Sequence, residues 1–162
     1  MIAASLLPWF EWLQHTGLGE TIRHSAALIA LLEIVHLIGM TLLIGSVLMV
    51  DLSLMGRGIR GYPAPEIARQ LRGWTVAGLA IMLASGPLLL SSEALRCYQS
   101  PAFWIKMALL ALAVSFHFTI HRRVTRAGNV SHSEARVVGG LSLALWISVA
   151  LAGKAIAIFQ QQ

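Results

Sequence analysis

Ionisable side chains interrupt two otherwise apolar stretches of this sequence. Glu33 and His36 lie within residues 26–50, and His117 and His121 lie within a second apolar stretch later in the chain. Neutral imidazole is the commonest protein ligand for iron, copper and zinc. An ionisable group inside a bilayer costs so much free energy that it usually marks a site. The pattern therefore predicts a metal or cofactor site within a membrane.

The composition supports a membrane setting. Of the 162 residues, 57% are hydrophobic and 12% are charged, whereas soluble domains average roughly 45–50% and 25%. The net charge of +5 does not indicate a nucleic-acid binder, because the basic residues form no patch interleaved with aromatic side chains. They cluster between the apolar stretches, so we expect the lipid bilayer, and no nucleic acid, as a partner.

The apolar stretches predict an all-α fold, a four-helix transmembrane bundle that forms a single domain over residues 1–162. Each stretch is long enough to cross the hydrocarbon core, which needs about 20 residues. The predicted spans are residues 24–51, 73–92, 102–122 and 137–158. Residues 3–15 carry Trp9 and Trp12 beside Glu11 and are too short to span, so they predict an N-terminal interfacial amphipathic helix.

Arginine is concentrated on one side of the predicted bundle. The loops after the first and third spans hold Arg57, Arg60, Arg69, Arg72, Arg122, Arg123, Arg126 and Arg136. The opposite side holds Arg23, Arg96, Lys106 and Lys154. By the positive-inside rule the arginine-rich loops are cytoplasmic, and both termini then lie on the outer side.

Glu33 and His36 are three residues apart and share one face of the first predicted span. One interpretation is structural, in which His36 hydrogen-bonds to Glu33 or to a neighbouring helix and holds the bundle together. We favour a ligand or proton-relay role, because a serine or asparagine would join helices at lower cost. His24 lies near the outer end of the span on a different face, and is a separate metal-ligand candidate.

In the third predicted span, His117 and His121 are one turn apart, and Lys106 falls on the same stripe as His117. Because His121 borders Arg122, we expect it to be interfacial and solvated, which leaves His117 as the better candidate. Histidines on facing helices suit a non-covalent b-type haem, and the absence of Cys-x-x-Cys-His excludes covalent attachment. The metal-ligand candidates are thus His24, Glu33, His36, His117 and His121.

The two best candidates, His36 and His117, differ in depth. His36 lies fifteen residues before Asp51, and His117 lies five before Arg122. At the helical rise per residue this is a difference of roughly 15 Å, although two axial ligands of one iron should be nearly level. The alternatives are a tilted pair on one haem, two metal centres at different depths, or a site completed by a second protomer.

Short runs in the first and third predicted spans match a family pattern: EIVHLIG at 33–39, DLSLMG at 51–56, SPAFWIK at 100–106 and FH at 116–117. With these runs the chain resembles an uncharacterised bacterial family of small four-helix inner-membrane proteins. That family is similar in turn to the copper-resistance D-type membrane domain and, more distantly, to cytochrome b561-like bundles. The resemblance covers roughly residues 26–123.

The resemblance implies a b-type haem ligated by His36 and His117, with copper as a further metal. It implies electron transfer or small-molecule redox chemistry, as in a membrane oxidoreductase with a quinone or another redox partner. It also implies the bacterial inner membrane, and with the charge bias above both termini are periplasmic. Lys106 then either pairs with a haem propionate or anchors its helix at the interface.

Two other functions stay open. Glu33 and His36 could form a Cu(I) path in a small copper transporter together with soft thioether ligands from Met40, Met49, Met55 and Met82. Alternatively, the polar groups specify helix pairing in a structural subunit of a membrane complex. Small residues in the spans either leave room for a flat macrocycle or pack helices closely. Because they could also pack a neighbouring protomer, we expect a homo-oligomer.

Overall fold

The computed structural model describes residues 2–58, 61–126 and 130–159. Its helices are α1 (Ile2–Gln14), α2 (Gly17–Arg23), α3 (Ala26–Leu54), α4 (Ala64–Ser92), α5 (Ala94–Gln99), α6 (Pro101–Phe116), α7 (Arg122–Arg126) and α8 (His132–Phe159). A π-helical turn, His117–His121, joins α6 to α7. The stretches long and apolar enough to cross a membrane are Ala26–Leu54, Ala64–Ser92, Pro101–Arg126 and His132–Ile156. The predicted all-α fold with four spanning helices is confirmed, and the chain is a multi-pass membrane protein.

The spanning helices are longer than the apolar stretches that predict them. α3 continues three residues past the predicted end at 51, and α4 begins nine residues before the predicted start at 73. Hydropathy detects only the part of a helix that lies in hydrocarbon. Beyond that part, Pro65 fits the first turn of α4, where no amide hydrogen is needed. The Glu66 carboxylate then accepts hydrogen bonds from Arg69 at 2.7 and 3.1 Å, which supports the polar turn.

Glycine brings α3 and α4 into close contact. A Cβ atom added at Gly78 would lie 2.6 Å from the Leu43 amide nitrogen, and one added at Gly39 would lie 2.7 Å from Ile81 Cγ2. These two glycines therefore serve helix packing and do not leave space for a macrocycle. Beside this crossing, the buried core joins α3, α4, α6 and α8 through Leu43, Val47, Met82, Ala113, Trp146 and Val149.

Helix α1 packs against an aromatic cluster on α5 and α6. Phe10 is 5% exposed, and its ring centroid lies 6.0 Å from that of Phe103 in an edge-to-face contact. Trp9 and Trp12, in contrast, are 57% and 63% exposed. The predicted N-terminal amphipathic helix thus exists as α1, with one buried and one exposed face.

Candidate functional site

A hydrogen bond to the neighbouring helix fixes the ring of His36. His36 Nδ1 lies 2.8 Å from Ser85 Oγ, and the Ser85 hydroxyl donates to the Ile81 carbonyl oxygen at 2.7 Å. Because a hydroxyl has one hydrogen, His36 Nδ1 carries the proton and donates to Ser85. The other ring nitrogen, Nε2, then keeps its lone pair, as a metal-binding imidazole must.

His36 lines a cavity of about 800 Å³, which we call the His36 cavity, among α3, α4, α6 and α8. Its apolar wall includes Met40, Leu43, Met82 and Trp146. Its ionisable groups are Glu33, His36, Lys106 and Lys154. A mainly apolar wall with a few polar groups, in a volume of roughly 300–1,000 Å³, is typical of ligand and cofactor sites.

The charged groups of the His36 cavity are not paired with one another. Glu33 lies on the exposed face of α3 and forms no hydrogen bond or ion pair with the residues that the structure describes. His36 therefore bonds to the neighbouring helix through Ser85 and not to Glu33. Lys106 is half-buried and packs against Gly153, where an added Cβ would lie 3.5 Å from Nζ. Two lysines on one cavity suit acidic substituents of a ligand.

His121 is buried, and the prediction that it is interfacial and solvated is wrong. It is 2% exposed, and its Nε2 lies 2.7 Å from Oδ1 of Asp51, whose side chain is fully buried. The prediction failed because α3 does not end at Asp51 but runs on to Leu54, which encloses the carboxylate in the bundle. A buried carboxylate needs a partner, and the π-helical turn supplies the His121 imidazole.

His117 stacks on His121 and extends this polar cluster. Their ring centroids are 4.9 Å apart with an interplanar angle of 22°, and Trp146 of α8 meets His117 edge-on at 6.5 Å. Ser142 lies beside Asp51. Within the described part of the chain, Asp51 Oδ2, His117 Nδ1 and Ser142 Oγ are buried without a well-formed hydrogen bond. The cluster can therefore accept further hydrogen bonds from a proton donor or a small polar ligand.

His117 and His121 line a second cavity, which we call the arginine-lined cavity. It has a volume of about 500 Å³ and lies among α3, α4, the π-helical turn and α7. The arginines in its wall are Arg69, Arg72, Arg122 and Arg126. His36 does not line it, and neither His117 nor His121 lines the His36 cavity. The structure thus places the two best ligand candidates in different cavities.

The depth offset between His36 and His117 persists in the structure. His36 lies eighteen residues before Leu54, and His117 lies nine before Arg126. The difference of nine residues corresponds to roughly 14 Å along a helix axis. The geometry of one chain therefore does not bring both imidazoles to one iron, whereas two centres or a site shared between protomers fit it.

The other predicted metal ligands are dispersed. His24 is exposed at the end of α2 and lines neither cavity. Across residues 2–58, 61–126 and 130–159, no group of three or more His, Cys, Asp or Glu residues is arranged to hold a metal ion. A metal at His36 or His117 would therefore need thioether, haem or partner-subunit ligands as well.

Sequence patterns did not single out four residues of these sites: Asp51, Ser85, Ser142 and Trp146. A signal existed for Asp51, because the apolar run continues through Leu54 and so encloses the carboxylate. A serine such as Ser85 is common in membrane helices and carries no signal alone. The sequence around Ser142 and Trp146 also carries no signal of a site, since the roles of these residues depend on which helices become neighbours.

The fold and the two cavities define the class: a small multi-pass membrane protein with polar sites between its spanning helices. The chain belongs to DUF6644, a family of unknown function, whose model matches residues 9–159. No curated protein and no solved structure matches the chain. The family match agrees with the predicted resemblance to an uncharacterised family. The likeness to copper-resistance D-type and cytochrome b561-like proteins stays a prediction.

Proposed function

We propose that the protein binds a b-type haem in the His36 cavity and takes part in electron transfer or small-molecule redox chemistry in the membrane. The observation that carries this proposal is the orientation of the His36 ring and the nitrogen on which it holds its proton. Its hydrogen bond to Ser85 fixes the ring orientation and leaves Nε2 free on the wall of a cavity of about 800 Å³. Ligating histidines are usually held by such a partner on their other nitrogen.

The remaining groups of the cavity fit the other parts of a haem. Lys106 and Lys154 offer two cations for the two propionates, and the apolar wall suits the macrocycle. Met40 and Met82 also line the cavity, and a thioether from one of them, together with His36, would hold the iron and raise its reduction potential. The haem would supply one-electron chemistry, while these residues bind it, orient it and exclude water.

We infer the setting of this site from the charge distribution and the family resemblance. The arginine excess at the end of the bundle where α3 ends and α8 begins favours termini on the outer side, which is the periplasmic side of the bacterial inner membrane that the resemblance implies. The protein would act as a membrane oxidoreductase with a quinone or another redox partner. His117 would belong to a second centre, with copper as an alternative metal, or to a haem shared with a second protomer of a homo-oligomer.

The test is the absorption spectrum of the purified protein, oxidised and dithionite-reduced, together with elemental analysis for iron and copper. The wild-type protein should show a Soret band, and His36→Ala should remove it. His24→Ala replaces an exposed histidine outside both cavities and should leave the band unchanged. A colourless wild type without iron, or an unchanged spectrum in His36→Ala, would overturn the proposal.

His117→Ala then decides between the two roles of that residue. If His117 ligates a haem shared with a second protomer, its loss should remove the same band that His36→Ala removes. If it belongs to a second centre, only a separate spectral component or a separate metal should disappear.

A Cu(I) site is the second candidate, because two thioethers line the same cavity as His36. Met40 and Met82 would complete the ligand set, whereas Met49 lies outside this cavity. Copper uptake into proteoliposomes should fall in Met82→Leu and stay at the wild-type level in Met49→Leu. A haem-loaded protein without copper uptake would exclude the transporter, and a preparation with neither property would favour the structural subunit.

A further inference from the structure

The arginine-lined cavity carries more positive charge than the acidic residues around it neutralise. Arg69 is paired with Glu66 at 2.7 Å. Arg72, Arg122 and Arg126 form no ion pair with any residue that the structure describes. Arg122 lies over the Phe118 ring, 5.5 Å from its centroid. Guanidinium groups without an ion-pair partner attract anions, and their planar donor geometry matches the oxygen atoms of phosphates and carboxylates.

The buried part of the cavity does not supply the missing negative charge. The nearby carboxylate of Asp51 is bonded to His121 and does not itself line the cavity. The groups that do line it here are the imidazoles of His117 and His121. Because His121 donates to Asp51 through Nε2, His117 is the imidazole that can donate a hydrogen bond to an acidic ligand. An anion in the cavity would therefore meet donors on both its arginine side and its imidazole side.

Apart from Thr75 and Thr125, the remaining wall is apolar, and it reaches the surface that faces the membrane. Val76 and Phe118 line the cavity, and they are 51% and 42% exposed within membrane-spanning segments. Val50 and Leu79 continue this wall. A ligand with an acidic head and a hydrocarbon body would satisfy both the arginines and the apolar wall. A small soluble anion would use the arginines and the imidazole side and would leave the apolar wall uncovered.

We propose that the arginine-lined cavity binds the phosphate headgroup of an anionic membrane lipid, with part of an acyl chain along Val76 and Phe118. Basic pockets between membrane helices are known to take such headgroups. Arg72 belongs to α4 and Arg126 to α7, so a bound phosphate would cross-link two helices and remove the repulsion between their charges. The proposal does not depend on a haem in the His36 cavity.

The test measures lipid binding by native mass spectrometry of the full chain in detergent. Phosphatidylglycerol should bind more tightly than phosphatidylcholine with the same acyl chains, and the preference should weaken as salt concentration rises. In the double variant Arg72→Gln/Arg126→Gln, the affinity for phosphatidylglycerol should fall by at least about tenfold, because two charge-assisted contacts are lost. The double variant Arg57→Gln/Arg136→Gln changes the net charge equally at exposed positions outside this cavity, and should retain wild-type binding.

Three results would overturn the lipid assignment. Equal losses in the two double variants would mean that general surface charge attracts the lipid. Equal binding of phosphatidylcholine would mean that only the apolar wall matters. Thermal stabilisation by inorganic phosphate alone, lost in Arg72→Gln/Arg126→Gln, would assign the site to a soluble phosphate. A circular-dichroism spectrum and a size-exclusion profile like those of the wild type establish that each variant is folded.

Discussion

Asp51 Oδ1 and His121 Nε2 lie 2.7 Å apart, and the two side chains are 0% and 3% exposed. This contact joins α3 to the π-helical turn at seventy residues of sequence separation. Gly139 brings α8 against the same part of α3, since an added Cβ would lie 2.8 Å from the Asp51 carbonyl oxygen. Three of the four spanning segments therefore meet at Asp51, through its carboxylate and its backbone carbonyl, and these contacts align the segments along the membrane normal.

Breaking the Asp51–His121 contact should destabilise the fold strongly, because it leaves one polar group buried without its partner. We expect Asp51→Ala and His121→Ala each to lower the free energy of unfolding by about 3–5 kcal/mol. The double variant should lose less than the sum, with a coupling energy above about 1 kcal/mol. Reversible unfolding in mixed micelles gives the free energy of unfolding of the wild type, the two single variants and the double variant. His132→Ala and Glu134→Ala, two exposed positions on α8, are the control. Additive losses of stability in the Asp51 and His121 variants would contradict the prediction.

The crossing of α3 and α4 should tolerate no side chain at Gly78. Gly78→Ala places a Cβ 2.6 Å from the Leu43 amide nitrogen, and overpacking of this kind costs about 1–3 kcal/mol. Gly45→Ala is the matched control on α3, because nothing lies within 4 Å of its added Cβ. It should be neutral, or stabilising by up to about 1 kcal/mol through helix propensity. Thermal unfolding in detergent compares the two, and equal effects would contradict the close crossing.

Ser85 should act as a positioning residue for His36. If His36 binds a haem or metal, Ser85→Ala removes the partner of Nδ1 and should lower cofactor affinity by about 10–100-fold. Ser85→Thr keeps the hydroxyl and should restore most of the affinity. Ser92→Ala lies on the same helix, where the Ser92 hydroxyl donates to the Leu89 carbonyl oxygen outside the His36 cavity, and should change little. Haem titration followed by the Soret band gives the affinities, and a wild-type value in Ser85→Ala would refute the role.

Phe10 should anchor α1 to the bundle. Replacing this buried ring by alanine removes its contacts with Phe103 and its neighbours, and should cost about 3–5 kcal/mol of local stability. α1 should then be cleaved faster under limited proteolysis, while the spanning helices stay protected. Trp12→Ala removes a ring that is 63% exposed and should leave the cleavage rate unchanged. Equal protection of the two variants would show that α1 does not depend on this contact.

The spanning helices could be predicted because they follow from local chemistry. A run of about 20 apolar residues can satisfy its backbone in hydrocarbon only by forming a helix. The same reasoning found the amphipathic segment at α1, where Phe10 and the exposed tryptophans fall on different faces. It placed the helix ends less well, since α4 begins in a polar turn that hydropathy does not detect.

Site residues on one helix were found more easily than sites between helices. The sequence pointed to His36, Lys106 and His117, because each is an ionisable group in an apolar run. It predicted an offset in depth between His36 and His117 but left open whether they share one site, and the structure places them in different cavities. That separation depends on how the helices are aligned, and no periodicity within one helix contains this information.

By itself, the sequence determined the class of the protein: four spanning helices, an excess of arginine at one end, and ionisable groups within the spans. Only the tertiary structure decided which partner each group has. In the structure His36 bonds to Ser85 and His121 bonds to Asp51. His121, which was expected to be solvated, is buried. The physical reason is that helix formation depends on contacts four residues apart, whereas these pairs are separated by forty-nine and seventy residues. They form only where close glycine contacts such as Gly78 and Gly139 fix the helix packing.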